Sequence, residues 1–339
     1  MCDRSSLLIT YHSLQITPVS SILYAMNCLL IGNFGVGNLG DEAFKEYFLT
    51  EFSDIDWTVV SAHPQGKNEV SRLPGGLRSL LNLRWIKTIS AYKSCDAVVF
   101  GGGSLFTDTE SVYACFLWSL HARLGFWLGK PVHFAFQGVG PFRTRTGARI
   151  SHRVFRKAAS ISVRDSLSFK RVGEWGLGTK CVQSFDPVFS LIESQNIDVC
   201  SQNILILIPR KNSSGKFTNS AQEKIKSMHP DSVVILSMQP DKKSEIEFCQ
   251  SLASSIKIPT RIQNTSTLSE LLQEVSNAGF VISERYHGAL AALALKKEVE
   301  VVSQEIGDKL DVLSQWSPQM PSTVQVGQKL LSMHLSLKK

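Results

Sequence analysis

Arg285 and His287 stand two residues apart in the run Ser283-Glu284-Arg285-Tyr286-His287-Gly288. An arginine offers a planar, permanently charged fork for a carboxylate or phosphate. A histidine offers a proton that moves near neutral pH. The pair falls where an apolar strand pattern, Gly279 to Ile282, gives way to an apolar helix pattern, Gly288 to Leu295. Ligands of open α/β sheets bind at that carboxyl edge, and the N–H groups of a helix start favour an anion there. Anion binding beside proton transfer is the chemistry this spacing points to. The competing reading is a structural arginine with a satisfied partner beside a core histidine.

Glycine-rich turns supply further candidates. The first strand runs into Gly35-Val36-Gly37-Asn38-Leu39-Gly40-Asp41-Glu42. Glycines let backbone approach a ligand and present N–H groups to an oxyanion. The Gly-x-Gly-x-x-Gly spacing matches a dinucleotide fingerprint, yet no acidic residue closes a second strand at the ribose position. Asp41 and Glu42 either cap the following helix or, for Asp41, reach into a cleft as acid or base. The third strand ends in Gly101-Gly102-Gly103-Ser104, with Asp108 shortly after, so Ser104 and Asp108 are candidates for holding a polar substrate. The fourth ends in Gln137-Gly138-Val139-Gly140-Pro141 and the fifth in Val163-Arg164-Asp165. Arg164 is either a ligand for an anion or the partner of Asp165. Three glycine-rich turns on one sheet edge favour a ligand cleft. Of the other histidines only His121, after the triple-glycine turn, merits a test. No Ser-His-Asp arrangement or metal-ligand cluster is present in the pattern.

The elements positioning these residues alternate along the chain. Apolar runs predict strands at Cys28 to Ile31, Trp57 to Ser61, Ala97 to Phe100, Val132 to Phe136 and Ile161 to Val163. Between and after them come predicted helices at Asp41 to Thr50, Leu77 to Tyr92, Val112 to Leu128, Gly147 to Ala159 and Leu167 to Trp175. The alternation restarts with strands at Ile204 to Ile208, Ser232 to Ser237, Gly279 to Ile282 and Val299 to Val302. Helices Gln222 to Met228, Ser244 to Ser255, Leu268 to Asn277 and Gly288 to Leu295 accompany them. The fold class is therefore α/β, with two Rossmann-like doubly wound domains facing a cleft. Residues 1–25 read as an N-terminal extension, 26–192 as the first domain, 193–203 as a linker and 204–339 as the second domain.

Length and charge set outer bounds. A chain of 339 residues suits about two domains. The formal net charge of +7 points to anionic partners. Much of it lies between Glu110 and Asp165, an interval without acidic residues that holds Arg143, Arg145, Arg149, Arg153, Arg156 and Lys157. That interval is either a solvated helix face or a landing surface for an anionic acceptor or membrane. No recognition helix or aromatic-interleaved motif supports nucleic acid. The seven scattered cysteines form no Cys-x-x-Cys pair, which favours a reducing cytoplasm. No run reaches the roughly 18 apolar residues of a membrane span.

Taken in order, Asn38-Leu39-Gly40-Asp41-Glu42, Gly101 to Ser104, Gln137 to Pro141, Val163-Arg164-Asp165, Asp186-Pro187 and Arg285-Tyr286-His287 resemble the motifs of the polysaccharide pyruvyl transferase family. The resemblance runs from about residue 26 to 300. It implies a fold similar to two-domain, GT-B type glycosyltransferases. It implies phosphoenolpyruvate as donor and a pyruvate ketal on a sugar of a cell-surface polysaccharide as product. Phosphoenolpyruvate is then a co-substrate, with no resident cofactor or metal. By the resemblance, Arg285 and His287 bind the donor and Arg164 is a further candidate. Gly37, Asn38, Gly40, Gly102, Gly103 and Ser104 line the substrate site. His287 is the first candidate for the general acid or for phosphate stabilisation, with Asp41 and Asp108 as competitors. The acceptor is a saccharide, free or lipid-linked. In the lipid-linked case the protein works in the cytoplasm at the inner membrane face, with Arg143 to Lys157 against anionic lipid. Two other functions fit the same architecture: a glycosyltransferase using a nucleotide sugar, and a non-catalytic relative that binds a glycan. Arg285→Ala and His287→Ala are both expected to abolish activity at an unchanged melting temperature.

Met26 stands just before the first strand, and the segment ahead of it lacks a signal-peptide pattern. A chain lacking residues 1–25 is expected to express as soluble protein with full activity, checked by yield and turnover beside the intact chain.

Overall fold

The computed structural model describes residues 25–336 other than 110, 305, 306 and 308. The predicted extension thus lies, but for Ala25, outside the described residues. The first sheet contains β1 (Asn27–Phe34), β2 (Asp56–Ser61), β3 (Glu69–Ser71), β4 (Ala97–Gly101), β5 (Val132–Gln137), β6 (Ser160–Val163) and β7 (Cys181–Gln183). Its strands are parallel, in the order β3-β2-β1-β4-β5-β6-β7. Its helices are α1 (Leu39–Glu51), α2 (Leu77–Leu81), α3 (Trp85–Ser94), α4 (Val112–Trp127), α5 (Arg145–Phe155), α6 (Ser166–Glu174) and α7 (Val188–Ser194).

The second sheet contains β8 (Ile204–Ile208), β9 (Ser232–Ser237), β10 (Thr260–Asn264), β11 (Phe280–Ser283) and β12 (Val299–Val301). It too is parallel, in the order β10-β9-β8-β11-β12. With it come α8 (Gly215–Met228), α9 (Lys243–Ser255), α10 (Leu268–Ser276), α11 (Tyr286–Ala294), α12 (Leu310–Ser314) and α13 (Val324–Ser336). In each sheet the chain winds outward and then returns to the other side of its first strand. The crevices beyond β1 and β4, and beyond β8 and β11, are therefore topological switch points, where ligands of such sheets bind.

Local chemistry explains the elements. Every residue of β4, β5 and β6 is buried, as strands covered on both faces require. Asn38 caps α1, Thr144 caps α5 and Asp165 caps α6, each accepting a backbone N–H of the first turn. Thr267 and Glu270 form a capping box on α10.

Three predicted features need correction. The helix expected over Leu77 to Tyr92 breaks at Asn82–Arg84, and the Trp85 indole closes the break by donating to Leu80 O at 3.0 Å. Asn favours such ends because its side chain competes for backbone groups. The strands β3, β7 and β10 escaped prediction; all are edge strands, and β3 and β7 have three residues each, so apolar patterning is weak. The second domain does not keep all of 204–336. Helix α13 crosses back and packs on β5, β6 and β7 of the first sheet, where Leu331 and Leu335 are buried. Ser184 Oγ donates to Thr323 O at 2.9 Å at this crossing.

One apolar core consequently runs through both domains. It joins Phe44 and Phe48 of α1, Val188 and Ile192 of α7, Leu271 of α10, Ala289 of α11 and Leu331 of α13. Gly327 sits at the closest point of the α13 crossing. A Cβ there would come within 2.6 Å of the Phe136 ring and 2.8 Å of Ser184 Oγ. Gly327→Val is expected to cost about 1–3 kcal/mol, typical of overpacking, read as a lower urea midpoint at unchanged slope.

Candidate functional site

The end of β11 aims two side chains in different directions. Arg285 is extended (φ −103°) and is the N-cap residue of α11. Its side chain stays in the second domain. Nε donates to Pro209 O beyond β8 at 3.2 Å, and Nη2 donates to Gln239 Oε1 beyond β9 at 3.3 Å. Nη2 also pairs with Glu245 of α9, a fully buried carboxylate. His287, two residues on, points across the cleft into the first domain. Its Nε2 lies 3.8 Å from Asp186 Oδ2, and its ring meets Phe44 edge-on at 6.2 Å. A Cβ on Gly40 would lie 1.9 Å from His287 Nδ1. Only glycine lets the first turn and the imidazole approach this closely.

Arg164 forms the floor on the first-domain side. It is 1% exposed, and its Nη1 pairs with Asp186 Oδ2 at 2.6 Å. Nη2 donates to Ser104 Oγ at 3.2 Å. Its guanidinium lies 4.5 Å from the Tyr286 ring centroid, a cation–π distance. Asp165 is not its hydrogen-bonded partner, because Asp165 caps α6 through Ser168 N at 2.6 Å.

Asp41 resolves the alternatives left by its position in the first turn. Glu42 braces that turn, accepting from Gly35 N at 2.7 Å and pairing with Lys45 at 2.6 Å. Asp41 is buried instead, accepting from Asn33 Nδ2 at 2.9 Å. Arg72 holds Asn33 in turn through its Oδ1 at 3.0 Å. A Cβ on Gly103, whose φ is +66°, would lie 2.8 Å from Asp41 Oδ1. The triple-glycine turn thus leaves that oxygen room.

Burial sets the charge states. It pushes the Asp41 carboxyl up to about 6, against the pull of the Asn33 hydrogen bond and of Lys309 and Arg164. Burial, then the Arg164 and Lys309 charges, hold His287 well below the usual imidazole range, so the ring is neutral at neutral pH. Burial also works against the Arg164 charge, but Asp186, Tyr286 and Asp165 outweigh it and raise its pKa. Arg285 is lowered to about 10 by burial and by Arg210, and still carries its charge. Arg164 Nε, Tyr286 Oη and His287 Nε2 are buried without a hydrogen-bond partner.

Other predicted residues lie in supporting positions. Asp108 accepts from the backbone N–H groups of Arg143 at 2.5 Å and Thr144 at 2.9 Å, which commits its carboxylate to the turn before α5. Gly102 packs on Phe44. Asn38 is spent on the cap of α1, and Gly37 turns toward Asp241 of the second domain. His121 is a core histidine: it accepts from Leu73 N at 3.2 Å, contacts Tyr92 Oη at 2.9 Å and is pushed down to about 3 by burial. Arg285→Ala removes the charge partner of the buried Glu245, whose other oxygen still accepts from Ser237 Oγ and Gln239 N, so a lower melting temperature is expected in place of an unchanged one. Sequence reasoning passed over Asn33 and Tyr286, and saw Asp186 only as part of an Asp-Pro pair. Among the described residues no group of three His, Cys, Asp or Glu is placed to hold a metal ion, and no helix is long and apolar enough to cross a membrane. A cavity of about 970 Å³ lies at the far, carboxyl end of α11, lined by Phe189, Leu293 and Trp316, and shares none of the groups above.

The family model for polysaccharide pyruvyl transferase matches residues 38–304. The chain belongs to the polysaccharide pyruvyl transferase family. The matched span holds Asp41, Ser104, Arg164, Asp186, Arg285 and His287, while Asn33 and Lys309, which act on Asp41, lie just outside it. This family member is also 24% identical over 222 residues to the amylovoran biosynthesis protein AmsJ of Erwinia amylovora. The match takes in 53% of this chain and 52% of AmsJ, so the chain spans about half the length of that relative. Solved structures share the fold. S. aureus MnaA, determined with UDP, has a TM-score of 0.59 at 13% identity, covering 91% of this chain and 89% of its own. UDP-N-acetylglucosamine 2-epimerase of Rickettsia bellii has 0.57 at 11%, covering 92% and 97%. Anabaena Alr3699/HepE, in complex with UDP and glucose, has 0.55 at 11%, covering 91% and 95%. The fold is thus the GT-B-like pair of parallel-sheet domains expected.

The raised pKa of Asp41 has a stability consequence. The folded state holds the proton more tightly than the unfolded chain, so stability falls as pH rises from 3.8 to about 6 and stays reduced above. Asp41→Asn keeps an acceptor for Asn33 and removes that charge. It is expected to be more stable than the parent above pH 6, on the order of 1–3 kcal/mol, and equal to it near pH 4, by urea unfolding at both pH values.

Proposed function

We propose that this protein transfers pyruvate from phosphoenolpyruvate to two hydroxyls of a sugar in a cell-surface polysaccharide or its precursor. The product is a pyruvate ketal, and phosphate is released. The observation that carries this reading is the buried cluster between the two switch points. Arg164 and His287 each turn an unpartnered polar atom inward beside an acid whose pKa is already near neutrality. Arg285, with Arg210 nearby, supplies a second centre of positive charge on the opposite wall. A donor with a carboxylate and a phosphate matches two such centres. No resident cofactor is needed, since the donor carries its own activation. The reaction belongs on the cytoplasmic side, where phosphoenolpyruvate is made.

The protonation states divide the roles. Protonated Asp41 gives its proton to the methylene carbon of the donor, and C2 gains oxocarbenium character. The first sugar hydroxyl forms a bond to C2 and returns its proton to the Asp41 carboxylate. The C2–O bond to phosphate breaks, and the phosphate leaves with the electron pair. The second hydroxyl closes the ring on C2, and its proton departs with the phosphate. A bound anionic donor raises the Asp41 pKa further and keeps it protonated at pH 7. His287, neutral, hydrogen-bonds the departing phosphate. General-acid catalysis of this kind contributes about 10²–10⁴-fold.

Calorimetric titration tests the donor. Phosphoenolpyruvate is expected to bind saturably and UDP not to bind. His287→Ala is expected to fold normally and to lose about a hundredfold or more in phosphate release with acceptor saccharide. Arg285→Lys keeps a charge for Glu245 but loses the fork, so its donor affinity should fall while its melting temperature stays near the parent's. UDP binding with no response to phosphoenolpyruvate would instead indicate a nucleotide-sugar enzyme.

A further inference from the structure

The first domain carries an exposed apolar patch on a basic background. Between Glu69 and Asp96 the chain has no acidic residue, yet it contains Arg72, Arg78, Arg84, Lys87 and Lys93. The α2–α3 hairpin lies inside this interval. Leu77 is 81% exposed, Leu81 80% and Leu83 63%, with Ile86 half exposed. Tyr113 and Phe116 at the start of α4 are exposed as well. The two parts form one surface, because a Cβ on Gly75 would fall 1.6 Å from Tyr113 Oη. Scattered exposed leucines are ordinary on a soluble protein, but a contiguous patch marks an interaction site. More than half of the well-exposed large apolar side chains among the described residues lie here. The hairpin is anchored, not loose: Thr88 and Tyr92 of α3 are fully buried, and Trp85 braces the turn.

We propose that this α2–α3 surface, with the start of α4, is where the protein lies on an anionic lipid bilayer. Apolar side chains among lysines and arginines, as over the acid-free stretch between Glu69 and Asp96, are the composition of an interfacial membrane element. The apolar groups enter the headgroup boundary while the cations meet anionic lipid. Arg84, Lys87 and Lys93 are all exposed, so the charges are free to do so. A protein partner would need its own acidic face to match the same charge. Helix α5 holds Arg145, Arg149 and Arg153 exposed, but none of its own large apolar side chains is exposed. It has only the electrostatic half of such an element. The hairpin also follows β3, and α4 follows β4, so both leave the carboxyl edge of the first sheet that carries Asp41 and Ser104. A bilayer on this surface would bring a lipid-linked sugar to the mouth of the site; this last step alone rests on the proposed function.

Sedimentation with vesicles tests the surface without using either substrate. The full chain is expected to pellet with mixed phosphatidylglycerol–phosphatidylcholine vesicles and to remain in solution with pure phosphatidylcholine. The double variant Leu77→Ser, Leu81→Ser is expected to bind about tenfold or more weakly, and Arg84→Gln, Lys87→Gln to lose the dependence on anionic lipid. All four side chains are exposed, so melting temperatures should match the parent's. Parent protein that ignores anionic vesicles, or a leucine variant that binds them as the parent does, would overturn the proposal. So would self-association through the patch that leaves lipid untouched. Donor titration of the parent protein separates the two ideas: a parent that fails to bind phosphoenolpyruvate yet pellets with anionic vesicles strikes the proposed reaction and leaves the surface standing.

Discussion

Arg164 places a full positive charge where water does not reach. Moving such a charge out of water costs several kcal/mol, and only a well-placed counter-charge offsets it. Asp186 is that counter-charge, at 2.6 Å and fully buried. Asp186 also accepts from Val188 N at 3.1 Å and so starts α7. Helix α7 packs on α11, the helix that presents His287. Tyr286 closes over the guanidinium from the second domain. One ion pair therefore fixes the end of β6, the start of the interdomain helix and the start of α11. Each domain supplies part of the surroundings that make the other part tolerable.

The same burial divides the two proton-bearing groups. A low-dielectric surrounding disfavours whichever form is charged. For His287 that is the imidazolium, and the neighbouring cations add to the effect. For Asp41 it is the carboxylate, and there the cations oppose burial without cancelling it. Two groups facing one cleft are thus pushed to opposite sides of their ordinary behaviour, a common arrangement in sites that move protons. The side-chain chain from Arg72 through Asn33 to Asp41 holds the acid in place, so its geometry does not depend on a bound donor.

Access comes from backbone as much as from side chains. Gly40 and Gly103 leave bare surface against His287 and Asp41. Both lie at the switch point of the first sheet, while Arg285 lies at that of the second. The doubly wound order of each sheet brings these crevices to face one another, and the α13 crossing helps hold the domains in that relation.

Much of this was legible in the chain itself. Period and composition sufficed for the central strands, because β4, β5 and β8 are buried on nearly every residue and must be apolar throughout. The glycine turns and the Arg-x-His spacing were equally visible, since each is a run of neighbouring residues. Edge strands were not, because exposure relaxes the demand on their side chains. Nor was the partnership of the charged groups. Asp165 adjoins Arg164 in sequence, yet its carboxylate is consumed by a helix cap, and Asp186 takes the pair. Arg285 and His287 are near neighbours, yet one turns back to Glu245 and the other crosses to Gly40. The sequence by itself determined which residues could do chemistry and which sheet edges would carry them, because strand patterning and turn chemistry are local. Only the tertiary structure decided which charges meet, which are stripped of water and which proton is held, because those depend on distances across two domains that no local pattern encodes.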